Sequence, residues 1–181
     1  MYGLINVAIR DLVTSQFGED KWERILDKSG ADETAFIRME ENDDAITYAL
    51  VGAASEVLEL PAEQVLEAFG EYWTLFTAEE GYGFMLDSAG STLPEFLQNL
   101  DTLHTRVGTM YPGLQPPQFD CSNVTENSLD LHYRSDRDGL DHLVIGLLKG
   151  LGKRFEQAVT IEQTATKADT GKESVFHVTW K

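Results

Sequence analysis

The break at Tyr111-Pro112-Gly113 constrains this chain most, because the period of its apolar residues changes there. Upstream, apolar side chains recur at i, i+3 and i+4, the spacing of a helix with one buried face. Downstream, from Gln115, short runs alternate apolar and polar residues, as half-buried strands do. A helical N-terminal part followed by a C-terminal part with an antiparallel sheet and helices is an α+β domain. No repeat, low-complexity tract or linker divides it, so residues 1–181 are expected to form a single domain.

Leu4, Val7, Ala8, Leu12 and Val13 mark the first helix, and Trp22, Ile25 and Leu26 the next. Asn42-Asp43-Asp44 suits the cap of a helix over 45–58, with Ile46, Ala49, Leu50, Ala53 and Val57 inward. Pro61 opens a helix whose stripe is Val65, Leu66, Phe69, Tyr72, Trp73 and Phe76. Gly81, Gly83 and Gly90 then predict a loop. Thr92-Leu93-Pro94-Glu95 reads as a capping box for a helix running to about Met110. Strands are expected over 119–124 and 128–135, a helix over 140–155, and strands over 158–166 and 174–180 joined by the turn Ala168-Asp169-Thr170-Gly171.

Charge and composition remove whole classes of partner. With 14 basic against 31 acidic residues, the net charge of −17 repels a phosphate backbone, and no basic stripe offsets it. Nucleic acid is therefore not an expected partner, whereas a face recognising basic protein surfaces is compatible with this charge. No apolar run reaches the roughly 18–20 residues of a membrane span, and Met1-Tyr2-Gly3-Leu4-Ile5-Asn6 lacks the features of a secretory leader. No membrane role and a cytoplasmic location are the expectation. Cys121 stands alone, which rules out an internal disulfide and points to a small packed hydrophobe.

Two features carry chemistry. Tyr133, Ser135 and Arg137 follow the alternating run Leu129-Asp130-Leu131-His132 at two-residue spacing. In an extended strand they project from one face, offering a phenol, a hydroxyl and a guanidinium to an anion with paired oxygens. A solvated strand edge has the same pattern. His104 shares a helical stripe with Phe96, Leu97, Leu100, Leu103 and Val107, where an imidazole needs a hydrogen-bond partner or a metal. A satisfied core histidine is the plainer reading. Taken together, the two supply the axial ligand and the propionate donors that a haem requires, with Phe69, Trp73, Leu143 and Leu147 available as walls. No C-x-x-C-H motif is present, so haem would be held non-covalently, as haem b with its iron.

The segments Met1-Tyr2-Gly3, Tyr48-Ala49-Leu50-Val51-Gly52-Ala53-Ala54-Ser55, Ala68-Phe69-Gly70, Glu80-Gly81-Tyr82 and Phe96-Leu97-Gln98-Asn99-Leu100-Asp101-Thr102-Leu103-His104 occur in this order, followed by Tyr111-Pro112-Gly113, Pro116-Pro117, Cys121 and the full Tyr-x-Ser-x-Arg signature. On these the chain resembles the haem–nitric oxide/oxygen-binding (H-NOX) family over its full length. That family includes the haem domain of the soluble guanylate cyclase β subunit and stand-alone bacterial sensors. The resemblance is nearer the cyanobacterial and cyclase-like branch than the thermophilic oxygen-binding one.

The resemblance implies a haem held between a mainly helical distal part, residues 1–60, and a proximal, sheet-containing part, residues 61–181. His104 becomes the axial iron ligand, and Tyr133, Ser135 and Arg137 the propionate clamp. Asp44 pairs with Arg137, Ile5 and Pro117 press on the macrocycle, and Gly70 lies where the helical part pivots. Leu100 falls in the pocket as well. Oxygen-binding members carry a distal tyrosine; counting from Gly146 puts Leu143 there, whereas counting from Tyr133 puts His142 nearby. Leu143 is preferred because Leu143, Leu147 and Gly150 share an apolar stripe. Trp73 holds another distal position and carries an indole N–H.

The expected function is a non-enzymatic gas sensor that binds NO and CO in preference to O₂. It would signal to a histidine kinase or a cyclic-nucleotide enzyme. An oxygen sensor of the same fold and a haem-free interaction module are the alternatives. A peroxidase-like haem enzyme is disfavoured, because it requires a distal acid/base pair.

Overall fold

The computed structural model describes the backbone of every residue but Pro112, and the side chains of all but that residue and residues 77–82. Pro112 of the stop signal, and the side chains of Glu80 and Tyr82, therefore lie outside the described residues. The chain is α+β: helices first, then a four-stranded antiparallel sheet with one long helix inserted.

Helices α1 (Gly3–Phe17), α2 (Glu19–Ser29), α3 (Asp44–Leu58) and α4 (Ala62–Tyr72) form the N-terminal part. The Asp43 carboxylate accepts the Ala45 N–H at 2.9 Å, capping α3 one residue earlier than the sequence suggested. Gly18 and Gly30 take positive φ at the ends of α1 and α2, where a side chain would be strained. Ile9, Val13, Ile25 and Leu50 are fully buried between these helices. Each such side chain contributes about 1.5–3 kcal/mol through removal from water.

A π-helical turn (Trp73–Thr77) joins α4 to α5 (Ala78–Ala89). The predicted glycine loop is thus helical through Gly81 and Gly83, and only Gly90 lies outside. A helical glycine costs about 1 kcal/mol relative to alanine. Burial of Leu86 and Ala89 against the C-terminal core offsets that cost. Phe76, assigned to the inward stripe, is instead 54% exposed, because the π turn shifts the helical phase by one residue.

The single helix expected over 93–110 is two, α6 (Leu93–Gln98) and α7 (Leu100–Met110). They break at Asn99, whose side-chain amide donates to the Ala89 carbonyl at 2.8 Å and so closes the end of α5. This contact between separate segments outweighs continuation of one helix.

Strands β1 (Gln118–Ser122), β2 (Ser128–Arg134), β3 (Val159–Ala165) and β4 (Ser174–Trp180) pair in the order β1-β2-β4-β3. Leu129, Leu131 and Tyr133 face the core while Asp130, His132 and Arg134 face outward. The β3–β4 connection is one helical turn, α9 (Lys167–Thr170), rather than a simple reverse turn. Thr166 and Asp169 form its capping box and Gly171 ends it at φ 77°. Helix α8 (Asp141–Arg154) bridges the two cores: Leu143 and the preceding Leu140 pack with the N-terminal helices, and Val144, Leu148 and Leu151 with the sheet. Among the described residues no helix is long and apolar enough to cross a membrane.

Candidate functional site

Between the two cores, α1, α4, α7, α8 and the sheet enclose a cavity of about 330 Å³ with mainly apolar walls. This is the size of a small-molecule pocket. Ile5 lines it from α1, Phe69 from α4 and Trp73 from the π turn. Leu100 and His104 line it from α7, Pro117 from the segment before β1, and Leu143 and Leu147 from α8. Tyr133, Ser135 and Arg137 complete the set. Asp44 and Gly70 stand just outside the wall.

His104 presents its ring to this space. Its Nδ1 lies 2.8 Å from the Leu100 carbonyl, one turn earlier on α7. A carbonyl only accepts, so Nδ1 carries the proton and Nε2 keeps the lone pair. Burial pushes the pKa of His104 below its ordinary value, which keeps the ring neutral, as a metal ligand must be. Phe119 packs against the ring at 5.1 Å between centroids and against Tyr133 at 5.4 Å. A row of rings therefore runs from the imidazole to the Tyr133 phenol. Phe119 was not singled out in the sequence, though its inward position in β1 was legible from alternation.

Tyr133, Ser135 and Arg137 do not form a strand comb. Strand β2 ends at Arg134, and the Arg137 N–H donates to Ser135 Oγ at 3.1 Å, folding the chain into a hydroxyl-closed turn. The three side chains still meet at the cavity, because the turn redirects Arg137 as strand alternation would have done. Arg137 Nε donates to Asp44 Oδ2 at 2.7 Å, and one terminal nitrogen donates to the Gln115 carbonyl at 3.0 Å. The Met1 amino group also contacts Asp44.

Burial alone would raise the pKa of Asp44, but hydrogen bonds from Arg137 and the amino terminus outweigh it and hold the carboxyl below its ordinary value. A depressed carboxylate contributes stability above its unfolded pKa and loses it as pH falls through the folded pKa. Asp44→Asn is accordingly expected to cost about 0.5–1 kcal/mol at pH 7, discounted because the carboxylate is one-third exposed. The gap between variant and parent in urea unfolding should narrow below the usual carboxylate range. An equal gap at pH 7 and pH 2.5 would show that Asp44 acts through packing instead.

On the α8 side the two alternatives separate. Leu143 lines the cavity, whereas His142 Nδ1 lies 2.9 Å from Glu67 Oε1 on α4. The remaining histidines are also engaged elsewhere. His132 contacts Ser122 Oγ at 2.7 Å and Glu173 at 3.3 Å, and His177 contacts Asp130 at 2.6 Å, all on the outer sheet face. Thr74, another cavity residue that sequence patterning did not flag, donates to the Gly70 carbonyl at 3.1 Å, so its hydroxyl proton is committed. Helices α4 and α8 approach closely enough that a Cβ on Gly70 would stand 2.3 Å from the Leu143 carbonyl oxygen. Cys121 is half-buried with its thiol toward the Leu97 carbonyl at 3.5 Å, and burial pushes its pKa up to about 11, leaving it an unreactive thiol.

A family model described as Haem-NO-binding matches residues 2–163. Soluble guanylate cyclase gcy-32 of Caenorhabditis elegans is 35% identical over 170 residues, covering 89% of this chain and 24% of the cyclase. Soluble guanylate cyclase gcy-34 of the same organism is 34% identical over 161 residues, covering 84% and 23%. The chain thus spans about a quarter of the length of these relatives. An H-NOX protein from S. oneidensis in the Fe(II)NO ligation state shares the fold with a TM-score of 0.89 at 19% identity, over 100% of this chain and 99% of that one. An oxygen-binding H-NOX domain shares it at 0.83 with 21% identity, over 100% and 95%.

Proposed function

The chain belongs to the haem–NO-binding (H-NOX) family, and on that premise we propose that it is a haem-based sensor selective for NO and CO over O₂. The family assignment makes these residues a sensor domain, not a catalyst. The observation that carries the reading is one cavity joining a neutral imidazole to a phenol, hydroxyl and guanidinium across apolar walls. That donor set suits haem b: Nε2 of His104 for the iron, Tyr133, Ser135 and Arg137 for the propionates, and Phe69, Leu100 and Leu147 for the faces. Haem bound there supplies the metal centre at which a diatomic gas binds.

The chain's own residues would set selectivity and carry the signal. Leu143 offers no hydrogen bond to the cavity, and the Thr74 hydroxyl is spent on the Gly70 carbonyl. Polar bound O₂ depends on such a donor, whereas NO does not. With haem bound, His104 would tie α7 to it, and Ile5 on α1 and Pro117 before β1, which line the same cavity, would contact it. Were that tie loosened, α7 and the Pro116-Pro117 segment would be free to shift against the N-terminal helices, with Gly70 near the pivot. A partner that recognises one arrangement reads a change in population between two states. A cyclic-nucleotide enzyme or a histidine kinase in the cytoplasm is the partner class proposed.

The test is an absorption spectrum of the haem-loaded, reduced protein without air, after air and after NO. A five-coordinate ferrous spectrum that forms no oxy complex in air but converts with NO is expected. A stable oxy complex would instead make the protein an oxygen sensor with Trp73 as the distal donor. Failure to take up haem would leave an interaction module built around a structural hydrogen-bond network.

A further inference from the structure

Ser135 and Arg137 sit beyond the end of β2, where sheet pairing holds no backbone group, so their path toward the cavity needs another support. Lys167, the first residue of α9, supplies one. Its Nζ donates to the Ser135 carbonyl at 2.8 Å and to Asp138 Oδ1 at 2.7 Å, bracketing the turn that carries both clamp residues. The backbone of Lys167 is fixed in turn. Its N–H donates to Ser174 Oγ at 3.0 Å, and Ser174 donates to Asp141 Oδ1 at 2.9 Å. Asp141, at the start of α8, also accepts from Gln163 Nε2 at 2.7 Å. The β3–α9–β4 connection therefore straps the turn between β2 and α8.

Beside this strap lies a second, polar chamber of about 40 Å³. Tyr133, Ser135 and Arg137 line it as well as the main cavity, and Lys167, Asp138 and Asp141 form its far side. The chamber is large enough for one or two waters. It puts a second cation behind the same three donors.

We propose that Lys167 is a positioning residue of the anion clamp, holding Ser135 and Arg137 in place and adding positive charge where the carboxylates of the ligand lie. This rests on the reading of the main cavity as a haem site. An exposed Lys–Asp pair adds little to folding stability; Asp138 is 84% exposed. The consequence of losing Lys167 is therefore expected at the clamp and not in the fold.

The experiment compares the haem-loaded full chain with K167M and K167R. Three quantities are read: the rate of haem transfer to excess apomyoglobin, the ferric/ferrous midpoint potential, and the melting temperature of the haem-free protein. K167M should release haem about tenfold faster, the scale set by one hydrogen bond to a charged group. Loss of a positive charge near the haem edge should also make its midpoint more negative. K167R should restore both, and the haem-free melting temperatures should coincide. Parental release and potential in K167M would overturn the proposal. So would a fall in melting temperature that K167R does not repair, because the lysine would then be merely structural. If K167M does not fold, K167Q is read by the same criteria. If the parent protein takes up no haem, the haem reading itself falls; if the parent binds haem and K167M behaves identically, only the role of Lys167 falls.

Discussion

Replacing His104 with alanine is expected to abolish stable haem capture while leaving the fold intact. The chain has four histidines, and His132, His142 and His177 are bonded to carboxylates away from the cavity. No other imidazole is therefore placed to take over the iron. Disturbing a group that merely orients a metal ligand costs about 10- to 100-fold in affinity, so loss of the ligand should cost more. The fold should survive because the Nδ1 bond of His104 goes to its own helix, at Leu100. Imidazole added to the H104A protein fills the space beside Phe119 and should restore a ferrous spectrum close to that of the parent. An unchanged spectrum in H104A without imidazole would refute the assignment. Loss of helical circular dichroism would show that His104 supports the fold instead.

The second large effect is on stability, at Gly146 in α8. A Cβ there would lie 2.1 Å from the Glu67 carbonyl oxygen and 2.8 Å from the Glu67 carbonyl carbon and Cα. The obstacle is backbone, so no rotamer change relieves it and α4 and α8 must separate. Overpacking of this kind costs about 3 kcal/mol, at the upper end for cores. For a domain of this size Gly146→Ala should then lower Tm by roughly 6–12 °C. Gly52 in α3 is the matched control, because a Cβ there meets nothing within 4 Å. Gly52→Ala should be neutral or raise stability by up to about 1 kcal/mol through helix propensity. Equal Tm values for the two variants would show that the α4–α8 contact is not tight.

Much of the architecture was legible because it depends on neighbours in sequence. The Asp43 cap, the alternation of Leu129, Leu131 and Tyr133, and the placing of His104 among Leu100 and Leu103 follow from local periodicity and local hydrogen bonds. The order of helices and strands followed for the same reason, whereas the pairing of Asp44 with Arg137, far apart in the chain, came only from the family resemblance. Local rules failed where distant segments compete. Gly81 and Gly83 are helical because Leu86 and Ala89 bury against the C-terminal core, and Asn99 interrupts a helix because it closes another.

The sequence by itself determined the α+β division, the apolar stripe carrying His104 and the spacing of Tyr133, Ser135 and Arg137. Tertiary structure alone decided that these line one cavity, that Glu67 holds His142, and that Lys167 braces the turn from across the sheet. Those outcomes turn on approaches between residues tens of positions apart, such as Glu67 with His142 and Lys167 with Ser135. Such contacts leave no periodic trace in the chain, because each is set by the path of two backbones and not by the pattern within either.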